Sequence, residues 1–251
     1  YLNYSKSKDF IFHETAMTLG VARDRRATPN GSMGLAVGDY DGSGRPSIFV
    51  TNYEGEMQAL YHNIYKPAQN GRNEVFYFRH DTVPAGISSI GQNYVAWGTT
   101  FLDLDNRGKL DLIFLSGHAI RYPKKKEAGQ SQSPILFRNI GEGKFKNYSS
   151  RGGDYFRKKH RSRGLAAGDL NNDGLIDFVS SHIGQKVSIV KNIIKTENHW
   201  LGIELRGKNN ADVVGAELIL EANGMKQHRY QVGGGSYASA PDQRHVFGLG
   251  S

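Results

Sequence analysis

Three short acidic loops carry the residues of this sequence that are best suited to hold a metal ion. Oxygen-bearing side chains occupy positions 1, 3 and 9 of each loop and, with one exception, position 5, while glycine always occupies position 6. Alternate side chains of a tight loop converge, and glycine permits the sharp turn, so these oxygens can surround one cation. Calcium accepts about six to eight oxygen ligands in loose geometry, whereas magnesium demands a stricter octahedron. The chain has no cysteine to hold a soft metal, so the loops predict calcium.

The three loops differ in how many ligands they keep. The predicted ligands are Asp39, Asp41 and Ser43 in the first loop, Asp103, Asp105 and Asp111 in the second, and Asp169, Asn171, Asp173 and Asp177 in the third. The third set is complete and is expected to bind best. The first is expected to be weaker because Ser47 replaces the closing carboxylate, and the second carries Arg107 at position 5, whose guanidinium could replace the cation. Clusters of Asp, Asn and Gly also form ordinary hairpin turns, and this alternative stays open.

The loops belong to a repeat, and the repeat predicts the fold. Each loop follows a glycine-led apolar segment and precedes a β-branched and aromatic run that is typical of a strand. A second signature ending in asparagine then recurs, at Leu60-Tyr61-His62-Asn63, Leu136-Phe137-Arg138-Asn139 and Ile189-Val190-Lys191-Asn192. An aromatic-bearing segment follows it. Four short strands per repeat indicate an all-β fold, a partial β-propeller of four-stranded blades.

The repeat sets the expected domain boundaries. Blades are predicted over residues 1–197, with an N-terminal blade remnant at 1–31 and repeats that start near residues 32, 94 and 162. Residues 198–251 break the period and alternate in polarity, which predicts a small, incomplete antiparallel β-domain with hairpin turns at Asn209-Asn210 and Asn223-Gly224. Three blades and a remnant do not close a ring. We therefore expect a fragment of a longer protein, or other chains that complete the propeller.

The repeats resemble FG-GAP/VCBS repeats, the calcium-loop blades of integrin-α-type propellers. The C-terminal part resembles the ASPIC/UnbV domain, from Asn198-His199-Trp200-Leu201 through Gly215-Ala216 to Phe247-Gly248-Leu249-Gly250. Together these features resemble the family of cartilage acidic protein and its bacterial homologues. The resemblance implies a calcium-stabilised, non-catalytic interaction or adhesion module that is exported to the cell surface, the periplasm or the extracellular space.

A formal net charge of +8 separates this chain from an acidic relative. The basic residues concentrate in three clusters, at Arg23, Arg25 and Arg26, at Arg121, Lys124, Lys125 and Lys126, and at Arg157, Lys158, Lys159, Arg161 and Arg163. In a meandering blade these segments lie opposite the acidic loops, which predicts a basic face for a protein or an anionic glycan. Nucleic acid is a weaker candidate, because aromatic residues for base stacking are not interleaved with the charges. Solvated loops that only keep the protein soluble are the plain alternative.

Recognisable catalytic motifs are missing from the sequence. It contains neither H-E-x-x-H, nor G-x-S-x-G, nor a phosphate-binding glycine loop. His118 and His182 both follow second strands of blades and could approach each other, although structural histidines are the default reading. The sequence also lacks a run of about 18 apolar residues that would predict a membrane span. The rival hypothesis is an accessory or catalytic subunit of a redox or carbohydrate-active complex whose active site lies outside these residues.

Overall fold

The protein is almost entirely β-structure. A computed structural model describes residues 2–3, 10–69, 73–119 and 130–251. The strands are β1 (Leu2–Asn3), β2 (Phe12–His13), β3 (Leu35–Gly38), β4 (Ser47–Val50), β5 (Ala59–Lys66), β6 (Val75–His80), β7 (Ala96–Leu102), β8 (Asp111–Ser116), β9 (Ile135–Gly141), β10 (Lys144–Asn147), β11 (Ser162–Gly168), β12 (Asp177–His182), β13 (Ser188–Val190), β14 (His199–Ile203), β15 (Glu217–Ala222), β16 (Met225–Tyr230) and β17 (His245–Gly250). Within these ranges the helices are one α-helical turn, α1 (Asp154–Arg157), and the 3-10 turns Ile87–Ile90, Ser149–Arg151 and Lys208–Asn210. The predicted all-β class is confirmed.

Three antiparallel meanders form the larger part of the fold. The first sheet has the order β3-β4-β5-β6 and the second β7-β8-β9-β10, so both have the four strands that the repeat predicts. Each acidic loop joins the first strand of its sheet to the second. All six residues of β8 are buried, because the second sheet lies between its two neighbours.

The third sheet departs from the prediction of four strands, because its order is β11-β12-β13. After β13 the chain turns toward the second loop instead of pairing. Thr196 Oγ1 and Asn198 Nδ2 both donate to the carbonyl oxygen of Asp105, at 3.2 and 2.8 Å. These bonds hold the chain after β13 away from the third sheet. It therefore adds no fourth strand there and continues into β14.

Glycines at the start of the repeats let the first strands of neighbouring sheets approach closely. A Cβ atom on Gly98 of β7 would lie 2.6 Å from the backbone nitrogen of Leu165 and 2.7 Å from the Arg163 carbonyl oxygen. A Cβ on Gly34 would overlap the carbonyl oxygen of Trp97. The Thr51 hydroxyl donates to that same oxygen at 2.7 Å. Glycine is therefore required at these positions by the spacing of the sheets.

Two hydrophobic cores fill the spaces between the sheets. Phe49, Leu60, Phe114 and Phe137 belong to the core that joins the first and second sheets. A second core joins the second and third sheets and includes Ile113, Leu115, Phe156, Leu165 and Phe178. Side chains from opposite faces of β8 thus enter different cores, as the alternation of a strand requires.

The C-terminal region forms two small sheets, β14-β17 and β15-β16, and crosses the first strands of all three larger sheets. Ser236 and Leu35 exchange backbone hydrogen bonds, which places Ser236 beside β3. The Ser239 hydroxyl donates to the carbonyl oxygen of Leu165 at 2.8 Å, and the Asp242 N–H donates to that of Ala167 at 2.8 Å. The C-terminal region is therefore packed on the edge formed by the first strands of the sheets.

Candidate metal centres

The first aspartate of every loop holds the loop backbone in the same way. One carboxylate oxygen accepts the N–H of the glycine at position 6, at 2.9 Å for Asp39 and Gly44, 2.6 Å for Asp103 and Gly108, and 2.8 Å for Asp169 and Gly174. The three glycines have φ angles of 78°, 78° and 82°, in the left-handed region that favours glycine. The three loops therefore share this backbone hydrogen bond and this left-handed glycine.

The residue at position 9 has a structural role that the ligand pattern does not reveal. In each loop its side chain accepts the backbone N–H of the asparagine in the next strand, at 3.1 Å from Asn63 to Ser47, 2.8 Å from Asn139 to Asp111 and 2.7 Å from Asn192 to Asp177. A serine hydroxyl accepts this bond as a carboxylate does. Ser47 therefore completes the frame of the first loop, although it supplies no charge.

The first loop contains buried oxygen atoms that need a partner. Asp39 Oδ1 and Ser43 Oγ are buried and have no hydrogen-bond partner among the described residues. Burial raises the pKa of Asp39 to about 6, and the neighbouring Asp41 adds to the increase. A buried oxygen without a hydrogen-bond partner is costly, and a cation bound by this loop would offer a partner to such oxygens. The donor set of the first loop therefore fits a calcium ion.

His62 holds the other carboxylate of this loop. Its Nε2 lies 3.1 Å from Asp41 Oδ2, and its Nδ1 lies 3.0 Å from Asp81 Oδ2. Hydrogen bonds to Asp41 and then Asp81 raise the pKa of His62 to about 9. Burial alone would raise the pKa of Asp41, but the hydrogen bond from His62 keeps that pKa below its usual value. The imidazolium therefore stabilises the loop in the absence of metal.

This arrangement predicts a pH dependence of stability in the presence of chelator. The folded pKa of His62 lies above the ordinary value of 6.5, so its contribution is complete below pH 6.5 and disappears as the pH rises through about 9. We expect the free energy of unfolding to fall by roughly 2 kcal/mol across that window. Urea titrations of the wild type and His62→Gln measure this difference. The exposed His199→Gln should keep the wild-type profile, and an unchanged profile in His62→Gln would contradict the prediction.

The second loop brings three carboxylates together but surrounds them with arginines. In the described parts of the chain, Asp103, Asp105 and Asp111 are the one set of three whose ligand atoms lie within 4.8 Å of one another. Arg107 Nε lies 3.0 Å from Asp105 Oδ1, and its Nη2 bonds Asp111. Arg138 bonds both of these aspartates as well. Two guanidinium groups thus occupy the oxygens that a cation would use, so this loop does not fit calcium as it stands.

The third loop has the most complete set of ligands, in a more open arrangement. Asp169 and Asp177 are buried and accept backbone N–H groups. Asp173 Oδ2 accepts the Asn171 amide at 2.7 Å and lies 3.6 Å from Lys191 Nζ. The side chains at positions 3 and 5 are therefore bonded to each other at the surface. Calcium binding here would require Asp173 to exchange these contacts for the ion.

The C-terminal region contacts the position-6 glycine of every loop. A Cβ on Gly44 would meet the His228 ring at 3.1 Å, one on Gly108 would meet Gln227 at 3.1 Å, and one on Gly174 would overlap the Trp200 indole. The carbonyl oxygen of Asp169 also accepts a hydrogen bond from Arg244 at 2.8 Å. The candidate metal loops and the C-terminal region are thus in direct contact.

The predicted basic residues have different environments. Arg23, Arg25 and Arg26 are exposed, and Arg26 forms an ion pair with Asp24 at 3.0 Å. Arg121, Lys124, Lys125 and Lys126 lie outside the described residues. Arg157, Lys158 and Lys159 are exposed, whereas Arg161 is half-buried. Because these residues precede β11 at the end remote from the third loop, the third cluster lies opposite that loop. The single basic face stays a prediction.

Arg163 has a packing role instead of a free surface position. Its guanidinium lies 4.1 Å from the centre of the Trp97 ring. It donates to the carbonyl oxygens of Gly117 and His118, at 3.2 and 3.3 Å. These contacts join the second and third sheets, so Arg163 is less suited to binding a partner than its exposed neighbours.

The two histidines that follow second strands are held separately. His118 is fully buried and its Nε2 lies 3.0 Å from Glu54 Oε2. The two ring nitrogens of His182 lie 3.2 Å from Ser162 Oγ and 3.0 Å from Ser188 Oγ. These contacts agree with the default reading of structural histidines.

The asparagine that ends the second signature has a structural role that sequence reasoning missed. Asn139 Nδ2 donates to the carbonyl oxygen of Tyr40 at 2.7 Å, and Asn192 Nδ2 donates to that of Leu104 at 2.7 Å. Asn139 and Asn192 therefore tie their sheets to the acidic loop of the preceding one, whereas Asn63 Nδ2 donates to the Pro46 carbonyl oxygen of its own loop at 2.9 Å. The sequence signal for this role was the recurrence of asparagine as the fourth residue of every signature.

Comparisons with known proteins agree with part of this description. Residues 206–251 match the family described as ASPIC and UnbV. The chain is also 23% identical over 262 aligned residues to cartilage acidic protein 1 of Xenopus tropicalis, in an alignment that covers 88% of this chain and 40% of that protein. The chain therefore spans less than half of that relative. The predicted ASPIC/UnbV resemblance is confirmed, and among the described residues no helix is long and apolar enough to cross a membrane.

Proposed function

We propose that this chain is a calcium-stabilised, non-catalytic binding module of an exported protein. The three larger sheets act as FG-GAP/VCBS-type propeller blades, and the C-terminal region packs on the edge formed by their first strands. The observation that carries the proposal is the pair of buried oxygens in the first loop, Asp39 Oδ1 and Ser43 Oγ, which have no partner among the described residues. The repeated loop frame and the distant similarity to cartilage acidic protein 1 support it.

Calcium would be held in the first and third loops. Asp39, Asp41 and Ser43 supply side-chain oxygens in the first, and Asp169, Asn171, Asp173 and Asp177 supply them in the third. When bound, the ion supplies positive charge that neutralises these carboxylates and fixes the loops. Because both loops contact the C-terminal region, calcium would also stabilise that packing.

The exposed basic residues would bind the partner. Arg157, Lys158 and Lys159 are exposed on α1 and the turn after it, at the end of the third sheet remote from its acidic loop. A cationic surface attracts a protein or glycan of opposite charge and speeds its association at low salt. The partner is therefore an acidic protein or an anionic glycan, in an extracellular, cell-surface or periplasmic setting.

Calcium should raise the thermal stability of the chain. Affinities of extracellular calcium modules are weak, on the order of 0.1–1 mM. At tenfold excess over such a dissociation constant, one site contributes about 1.4 kcal/mol by mass action. Differential scanning calorimetry in calcium and in chelator measures the difference, and magnesium at equal concentration should produce a smaller one.

Two variants and a control assign the calcium effect to the loops. Asp39→Asn should remove the contribution of the first loop, and Asp173→Ala should remove that of the third. Asp212→Asn changes an exposed aspartate outside the loops and should leave the calcium effect intact. If chelator leaves the wild-type stability unchanged, the calcium proposal is wrong.

A further inference from the structure

A cavity that is open to solvent lies between the C-terminal region and the sheets. Its volume is about 180 Å³, which equals the space of about six water molecules. The first strands β3, β7 and β11 form one side, and residues 228–246 form most of the other. Cavities between domains are frequent sites for small molecules.

One wall of the cavity is apolar. Leu35 and Val37 line it from β3, and they remain 43% and 38% exposed. Phe101 and Leu165 line it from β7 and β11. Such side chains are normally buried, so this wall can bind a short aliphatic group.

A positive charge without a close carboxylate partner faces the same cavity. Arg229 Nη1 donates to the carbonyl oxygen of His228 at 3.0 Å, and Nη2 donates to Gln227 Oε1 at 3.1 Å. The Arg229 guanidinium carbon lies 5.1 Å from the centre of the Phe247 ring. Across the described ranges, Arg229 forms no ion pair, and burial lowers its pKa. Its hydrogen-bond acceptors are thus neutral groups of its own strand.

The other charged groups on the wall are already paired or hydrogen-bonded. Asp242 pairs with Arg244. The two oxygens of Asp103 accept the backbone N–H groups of Arg107 and Gly108, at 3.2 and 2.6 Å. Asp103 and Asp39 are both close enough to influence Arg229 electrostatically, but neither forms an ion pair with it. The guanidinium is therefore the group of this wall that most needs an anionic partner.

We propose that the cavity binds a small organic carboxylate, with its carboxylate on Arg229 and its short aliphatic tail against Leu35 and Val37. A guanidinium matches the two oxygens of a carboxylate and binds them through parallel hydrogen bonds. The apolar wall favours a carboxylate with a tail over inorganic phosphate. The proposal goes beyond the calcium function, and none of these three residues is a loop ligand.

Sodium butyrate tests the proposal on the full chain. We expect saturable binding by isothermal titration calorimetry and a matching rise in melting temperature, relative to sodium chloride at equal ionic strength. Butyramide has nearly the same shape without the charge and should bind at least tenfold more weakly. Equal binding of butyrate and butyramide would refute the role of the Arg229 guanidinium, and binding of neither would refute the site itself. Tighter binding of phosphate than of butyrate would overturn the carboxylate assignment.

Three variants locate the site. Arg229→Gln should weaken butyrate binding at least tenfold, whereas Arg206→Gln, which changes an exposed arginine of the same region, should have no effect. Val37→Phe keeps Arg229 but fills the space for the tail, so it should also abolish butyrate binding. If Arg229→Gln does not fold, Val37→Phe alone tests whether butyrate binds in this cavity. Wild-type affinity in Val37→Phe or in folded Arg229→Gln would refute the proposal. Repeating the titration with and without calcium separates this site from the loops, since butyrate should bind in both.

Discussion

Replacing Gly98 with alanine should lower the free energy of unfolding by about 3 kcal/mol. A Cβ at this position would lie 2.6 Å from the Leu165 nitrogen and 2.7 Å from the Arg163 carbonyl oxygen. Both atoms belong to the backbone of β11, so a change of side-chain rotamer cannot relieve the overlap. The second and third sheets must therefore separate to admit one methyl group. Urea denaturation of the wild type and the variant measures the loss.

The control is a glycine in open space. Among the described residues, no atom lies within 4 Å of the position that a Cβ on Gly234 would occupy, and its φ is not left-handed. Gly234→Ala should therefore be neutral, or stabilising by up to about 1 kcal/mol through a less flexible unfolded chain. If Gly98→Ala were equally neutral, the sheets would not be packed as closely as described.

Replacing Arg107 with asparagine should convert the second loop into a calcium-dependent one. The change gives this loop the ligand types of the third, but removes a guanidinium that bonds Asp105 and Asp111. Breaking this partly buried network should cost about 2 kcal/mol in chelator. Calcium should restore much of that loss, because it supplies the missing positive charge among the same oxygens.

The comparison to make is the calcium-induced change in melting temperature. It should be larger for Arg107→Asn than for the wild type. Arg206→Asn breaks an exposed ion pair with Glu204 and should cost less than about 1 kcal/mol without any new calcium response. An Arg107→Asn variant that is destabilised but gains no calcium response would show that Arg138 alone keeps the ion out.

Local sequence patterns were sufficient to predict the turns and loops whose conformation depends on residues that are neighbours in the chain. The Asn223-Gly224 turn follows from two residues that accept left-handed backbone angles, and it joins β15 to β16 as predicted, with φ values of 49° and 72°. The acidic loops follow from the same logic, because the aspartate at position 1 and the glycine at position 6 make one local hydrogen bond.

Tertiary contacts decided the features that the sequence did not predict. Asn209 and Asn210 also have left-handed angles, but they form a 3-10 turn instead of a hairpin, because β14 pairs with β17 and not with β15. Arg138 lies in a strand far from the second loop in sequence, so its bonds to Asp105 and Asp111 could not be inferred from loop spacing. The cavity beside Arg229 likewise exists only when the two ends of the chain meet.

The pairing of Leu35 with Ser236 implies a delay between the synthesis of β3 and the completion of its edge. The two residues are separated by about 200 positions, which at 5–20 residues per second means a delay of about 10–40 s. During that interval β3 leaves the ribosome with an unpaired edge and with Leu35 and Val37 uncovered. An uncovered apolar edge strand can pair with another nascent chain. The edge of β3 is therefore open to such pairing until Ser236 has been synthesised and can bond to Leu35.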